Sequence, residues 1–323
     1  MRLRAPFAYF GAKGHVAAEV WRRLGPVDHY IEPFMGSAAV LLARPDWRPG
    51  LRLVETVNDL DGLLVNAWRS IQWAPDATRE AADWPVTELD MHARHRWLCG
   101  EREAITERLR ADPLWYDSTA AKWWIWGAAN WLGSGWGSRP ESRQVPKLGS
   151  VRTGPDAASC TDFARNAARL RWVKVLAGDW QRVLTPAAVS LYDNTTVGIY
   201  SVGVLLDPPY DEGVGYAAGG GVSAAVWAWA VEHGTDTRMR IAVCGYEDGR
   251  DVPDGWATVE WDTGSSAHGA GYGNHADGAG RANARRERIW FSPGCLAHNA
   301  AVQLDLLNAS HPDSGAAVCD GAA

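Results

Sequence analysis

Residues 205–210 read Leu-Leu-Asp-Pro-Pro-Tyr and set a carboxylate, a rigid backbone and an aromatic ring side by side. The apolar run Val202, Val204, Leu205 and Leu206 predicts a buried strand that delivers Asp207, Pro208, Pro209 and Tyr210 to its carboxyl end, where ligands of open α/β sheets bind. Two consecutive prolines fix φ near about −65° and donate no hydrogen bonds, so the set is held in one geometry. That geometry suits an exocyclic amine. Asp207 and the Pro208 carbonyl can accept the two amine hydrogens, which localises the nitrogen lone pair, while Tyr210 offers a face to a flat heterocycle. For these four residues alone, the plainer alternative is a strand that ends in a proline turn.

A second segment, YIEPFMGSAAV at 30–40, reads as a short strand (Tyr30, Ile31), a turn on Pro33 and Gly36, and a small-residue helix start. Gly36 permits close backbone approach, Ser37 can cap the helix, and Glu32 at the strand end can take a cationic or amine group. A strand from about Leu51 to Val57 follows and ends in Asn58-Asp59. Asp59 lies 23 residues after Gly36, close to the spacing at which dinucleotide folds place a carboxylate on ribose hydroxyls. No phosphate-binding GxGxxG accompanies it, which favours a nucleoside cofactor without phosphates.

In these segments the chain resembles the Dam-type (alpha-class) adenine-N6 DNA methyltransferases that use S-adenosylmethionine. The likeness runs in order through Tyr9-Phe10-Gly11-Ala12-Lys13, Glu32-Pro33-Phe34-Met35-Gly36, Asn58-Asp59, Gly178-Asp179-Trp180, Asp207 to Tyr210 and Arg286-Glu287-Arg288-Ile289-Trp290. It implies that Tyr9 and Lys13 border the cofactor, that Glu32 and Phe34 hold its methionine end, and that Gly36 lines its loop. It further implies that Asp59 holds the ribose and that Asp179 and Trp180 flank the adenine. Two positions depart from the family: Gly11-Ala12 stands where two glycines usually precede the lysine, and Ser37-Ala38 stands where a second loop glycine is usual. The expected consequence is a slightly crowded pocket. The implied reaction is methyl transfer to adenine N6 of a base flipped from duplex DNA, with no metal. Other amine acceptors (cytosine N4, an RNA base, a glutamine amide) and a catalytically silent DNA-binding protein are the alternatives.

The 323 residues, 46% hydrophobic and 22% charged, suffice for a full core. No apolar run approaches the roughly 18 residues of a membrane span and the first residues hold no long apolar signal core, so a cytoplasmic protein is expected. Five cysteines, widely spaced and without a CxxC pair, argue for reduced thiols and against a zinc site. The formal net charge of −6 conceals a division: residues 92–174 carry a net +6 and the remainder −12. Phosphate contacts need such a local patch whatever the total charge. Arg139, Arg143, Lys147 and Arg152 lie in its Gly/Ser/Pro-rich part, followed by Arg165, Arg169, Arg171 and Lys174. Trp136, in GSGWGSR beside Arg139, is the candidate for stacking or wedging on DNA.

Helical spacing recurs at Leu63, Leu64, Ala67, Trp68 and Ile71, at 88–110 (Leu89, His92, Trp97, Leu98, Ile105, Leu109) and at 119–132. In that third segment Trp123, Trp124 and Trp126 point all round a helix, so part of the cluster, with Trp131, is core and part faces outward. Strands resume at Trp172 to Leu176, at 240–246 and around Ile289, Trp290 and Phe291, with a helix capped by Ser223 running through His233 just before the 240–246 strand. The glycine-rich 211–221 reads as a closing loop or a plain linker, 262–284 as a long loop with His268 and His275, and the tail from about 310 as disordered. The expected architecture is α/β: a Rossmann-like methyltransferase sheet from 1–61 and 172–295, a mostly helical target-recognition insertion at 62–171 that binds double-stranded DNA, and a C-terminal tail at 296–323. Monomer and weak dimer are both compatible with the sequence.

Overall fold

The computed structural model describes residues 3–7, 9, 11–49, 53–80, 86–131, 135–142, 144–145, 162–189, 201–209, 221–260 and 286–297. Tyr210, Arg143, Lys147, Arg152, most of the 211–221 loop, the 262–284 loop with its histidines and the tail beyond 297 lie outside the described residues.

Seven strands form one sheet: β1 (His29–Glu32), β2 (Val54–Asp59), β3 (Lys174–Ala177), β4 (Val202–Leu206), β5 (Met239–Tyr246), β6 (Ala257–Glu260) and β7 (Glu287–Phe291). Their order is β3-β2-β1-β4-β5-β7-β6, with β1 to β5 parallel and β7 antiparallel to both its neighbours. The chain is thus a mixed α/β protein with a mostly parallel sheet, compatible with a Rossmann-like fold. Strand order reverses between β1 and β4, and such a switch opens a crevice outside the carboxyl ends of the strands. Every residue of β1 and β4 is buried, as expected of central strands covered on both faces.

The helices are α1 (Ala17–Leu24), α2 (Ala39–Leu42), α3 (Gly62–Trp73), α4 (Pro75–Glu80), α5 (Glu88–Ala111), α6 (Ser118–Asn130), α7 (Asp162–Leu170), α8 (Pro186–Val189) and α9 (Val222–His233). Alternation along each strand divides the core in two. Tyr30, Val57, Leu205 and Ala242 face Val20, Leu64, Trp68, Leu98 and Ile125, so α3, α5 and α6 share one core with this side of the sheet. Ile31, Val204, Leu206 and Ile241 face Trp180, Val183, Val226 and Ala230 on the other side. Among the described residues no helix is long and apolar enough to cross a membrane.

Several local expectations are corrected. β2 begins at Val54 rather than near Leu51, and β3 at Lys174 rather than Trp172, which is exposed. Ser37 does not cap α2: Ala38 takes that position in a left-handed conformation (φ 51°) with no side-chain hydrogen bond. Ser223 lies inside α9, whose cap is Gly221 at φ 111°. The apolar face read for α3 is buried throughout. On α5 the inward stripe is Met91, His95, Leu98, Ile105 and Leu109, and Leu89 is exposed.

Candidate active site

Because β1, β2, β3 and β4 run parallel, Glu32, Asp59, Gly178 and Asp207 come to one edge of the sheet, around the β1/β4 switch. Lys13 joins them there. Its Nζ lies 3.0 Å from Asp207 Oδ1 and donates to the Gly11 carbonyl at 2.9 Å. The side chain is 8% exposed, so this lysine is a buried partner of the Asp-Pro-Pro carboxylate.

Glu32, on the neighbouring strand, accepts a hydrogen bond from the Tyr30 hydroxyl at 3.1 Å. Burial pushes its carboxyl up to about 8; the Tyr30 bond opposes the shift, and the charges of Asp207 and Asp59 reinforce it. Asp59 is pushed up to about 6, again chiefly by burial and against the backbone N–H groups it accepts from. Those bonds explain its place: Oδ2 accepts from Gly36 N at 3.0 Å and Oδ1 from Asp61 N at 3.0 Å. A carboxylate has about four acceptor positions, so capacity remains beside these backbone donors, to which the Leu60 N–H adds a weaker third.

The turn after β1 is fixed from three sides. Gly36 has φ 47°, donates to Asp59 and accepts from Trp68 Nε1 at 3.0 Å. A Cβ at Gly36 would fall 2.6 Å from the Tyr9 ring, which leaves glycine as the residue that fits. Phe34, half-buried, stacks on Trp180 with ring centroids 6.2 Å apart and an interplanar angle of 29°. Asp179 is exposed and caps the short 3-10 turn Trp180–Val183 through Gln181 N at 2.9 Å.

No protein-family model matches this chain, and no curated protein matches it at a significant level. The arrangement of its own residues therefore carries the functional reading.

One residue of this edge has a structural task that the sequence motifs do not show. Asn58, buried at the end of β2, donates from Nδ2 to the Pro33 carbonyl at 3.0 Å and to the Gly178 carbonyl at 2.9 Å. Its own carbonyl accepts from Met35 N, and the Asp59 carbonyl from Gly178 N. Asn58-Asp59 thus ties the turn that bears Phe34 to the turn that bears Trp180. The signal available in sequence was a side-chain amide at the end of a buried strand, where loop carbonyls need donors.

The basic residues are placed less uniformly. Arg139 is exposed, as are Arg171 and Lys174, and Arg165 is half-buried. Arg169 is not part of a surface patch: it is 2% exposed and holds Glu55. Trp136 also differs from expectation. Its Nε1 donates to the Trp124 carbonyl at 3.0 Å, its ring packs against Trp131 and His95, and a methyl at Gly127 would collide with it. The ring fills a tryptophan cluster, and the exposed side chains of that loop are Arg139, Pro140 and Glu141. In the same cluster Trp124, Trp126 and Trp131 are buried while Trp123 is half-buried against Trp97, the division expected of consecutive tryptophans.

Proposed function

We propose that this chain is an S-adenosylmethionine-dependent DNA methyltransferase that modifies adenine N6 in duplex DNA. The observation that carries the reading is the meeting of Lys13, Asp207 and Glu32 at the point where strand order reverses, with Asp59 and the Gly36 turn beside them. On this reading the sheet is of the Rossmann-like methyltransferase kind, and the helical segment 62–171 is its target-recognition insertion.

The residues present fit a nucleoside cofactor. Phe34 and Trp180 offer aromatic walls, Asp59 keeps acceptor capacity for ribose hydroxyls, and Glu32, with no ion pair among the described residues, can receive an ammonium group. When bound, S-adenosylmethionine supplies a methyl group on a sulfonium leaving group.

The chain's own residues then have separable tasks. Lys13 holds Asp207 through Oδ1 and so fixes the orientation of the carboxylate that, with the Pro208 carbonyl, would accept from an incoming amine. The two prolines hold these acceptors in place, which makes alignment of the amine a large part of the rate enhancement. As nitrogen is alkylated its proton becomes acidic and leaves through Asp207 or water, so a strong base is not needed. Adenine as the acceptor, and DNA as its carrier, rest on the family resemblance and on the positive charge concentrated in 92–174.

Incubation with labelled S-adenosylmethionine and mixed DNA, followed by identification of the methylated nucleoside, tests the reading directly. Label on N6-methyladenine is expected; label on cytosine alone would reassign the acceptor, and no transfer to any acceptor would overturn the enzyme. Asp207→Ala should abolish transfer while cofactor binding stays measurable, and near-normal turnover in that variant would overturn the role given to the carboxylate.

A further inference from the structure

The inward stripe of α5 continues Met91, His95, Leu98, Arg102, Ile105, Leu109 at alternating steps of four and three, and two of its members are polar. Both grip the same loop. His95 is 2% exposed, and its Nε2 meets the Arg139 carbonyl at 2.7 Å while its Nδ1 accepts from Gly137 N at 3.1 Å. Arg102 donates from Nε to the Gly137 carbonyl at 2.9 Å. Its two terminal nitrogens hold the Asp61 carboxylate at 2.8 and 3.2 Å, a two-pronged, charge-assisted contact.

Asp61 is not an incidental partner. It caps α3 by accepting from Leu63 N, and its own N–H donates to Asp59 Oδ1, on the carboxylate assigned above to the ribose. A continuous series of hydrogen bonds therefore runs from Asp59 through Asp61 and the Arg102 guanidinium to Gly137, in the loop that presents Arg139. Gly137 itself has φ 65° and faces Leu63 and Trp124, so the loop backbone has little other choice of seat.

We infer that Arg102 is a positioning residue that couples nucleoside binding at Asp59 to ordering of the loop 135–142. This rests on the cofactor reading given above. A ligand that takes up the remaining acceptor positions of Asp59 fixes that carboxylate, and with it the Asp61 turn, the guanidinium and the Gly137 carbonyl; cooperativity of this kind needs loss of motion and no large displacement. The arginine's planar fork is what permits one side chain to serve both ends, and a lysine could serve one at a time.

Amide hydrogen exchange of the full-length protein, with and without S-adenosylhomocysteine, tests this without turnover or DNA. The reporter amides are Gly137, bonded to His95, and Ser138 and Arg139, bonded to the Gly135 carbonyl. Wild type is expected to slow their exchange by about fivefold or more on saturation, the lower range of usual coupling. In Arg102→Lys and in Asp61→Asn, which keeps an acceptor at the α3 cap, that slowing should vanish while ligand affinity stays within about threefold. His95→Leu separates coupling from mere support: it should speed exchange in both states and preserve the ligand-dependent ratio. Ligand binding to wild type without protection of the loop, or protection that survives in both Arg102→Lys and Asp61→Asn, would overturn the inference alone. No ligand binding to wild type would overturn the cofactor reading and the inference with it.

Discussion

Two buried glutamates on adjacent strands are provided for in opposite ways. Glu55, near the start of β2, is 2% exposed and is held by Arg169 Nη2 at 2.7 Å and Arg44 Nη1 at 3.2 Å, with Asp46 on the far side of Arg44 at 2.8 Å. The two guanidinium groups lie over Trp47 and Trp21, which lets them be buried without losing all favourable contact. Glu32, at the end of β1, is 4% exposed and has the Tyr30 hydroxyl but no ion pair among the described residues. Tyr30 even sits directly beside Glu55 in the β1–β2 register, yet bonds along its own strand to Glu32. A carboxylate the fold needs is neutralised by the chain itself, whereas one left uncompensated at the ligand edge is suited to a cation that arrives from outside.

The largest test of that contrast is isosteric replacement at both positions. Glu55→Gln takes the carboxylate from the buried Arg169 guanidinium and leaves Arg44 with Asp46, and it should cost about 3–5 kcal/mol, the range for breaking a buried ion pair from one side. Glu32→Gln at neutral pH should cost little or stabilise, because it removes a group that burial already disfavours as an anion. Urea unfolding of the two variants measures this. Equal losses would erase the distinction between structural and site carboxylates.

The next effect is in the pH dependence. Glu32 is raised to about 8, so the folded protein binds its proton more tightly than the unfolded chain does. Its stabilising contribution is complete below the unfolded carboxylate value of about 4.5 and is lost as pH rises toward 8. Asp59, raised to about 6, acts in the same direction over a narrower window. His29, held down to about 4 chiefly by burial, acts the other way: its contribution is present above 6.5 and is lost as pH falls toward 4. The difference between Glu32→Gln and wild type cancels the histidine and isolates Glu32 together with its coupling to Asp59 and Asp207. That difference should favour the variant increasingly from pH 5 to pH 8, and a difference independent of pH would remove the uncompensated acid from the comparison.

Much of the ligand edge was legible because its residues sit where hydrophobic runs stop: Glu32 after Tyr30-Ile31, Asp59 after the β2 run, Asp207 after Val202–Leu206. What could not be read was who meets whom. Lys13 and Asp207 are far apart in sequence, and the folded chain brings the turn before α1 against the end of β4. The α5 stripe is hidden for a related reason. Leu89 and Trp97 are apolar, but the helix turns inward His95 and Arg102, polar residues whose hydrogen bonds to the 135–139 loop repay their burial. Arg169 likewise reads as surface charge because a sequence shows a cation without its buried anion. The glycines beside Trp136 in sequence suggest an open loop, whereas the room for its ring is made by Gly127, on the facing helix α6.

The smallest expected effect concerns Ala38, and it asks whether backbone strain also concentrates at the ligand edge. Ala38 is the one non-glycine with positive φ among the described residues, at 51°, in the turn between β1 and α2. A left-handed conformation costs an L-residue with a Cβ roughly 1–2 kcal/mol, and glycine escapes that cost while losing about 0.5–1 kcal/mol through its freer unfolded chain. Ala38→Gly should therefore stabilise the protein by up to about 1 kcal/mol. The side chain is fully buried in the core shared with Val40 and Leu41, so the lost methyl contact offsets part of the gain. Comparison with Ala39→Gly, one residue later in the helix, separates the terms: there the backbone freedom is unwanted and the change should destabilise by about 0.5–1 kcal/mol. Opposite signs at these adjacent alanines, measured by denaturant midpoints, would place strain at residue 38 itself. The same sign at both would mean the turn carries no special backbone cost and that the edge differs from the Glu55 flank in charge alone.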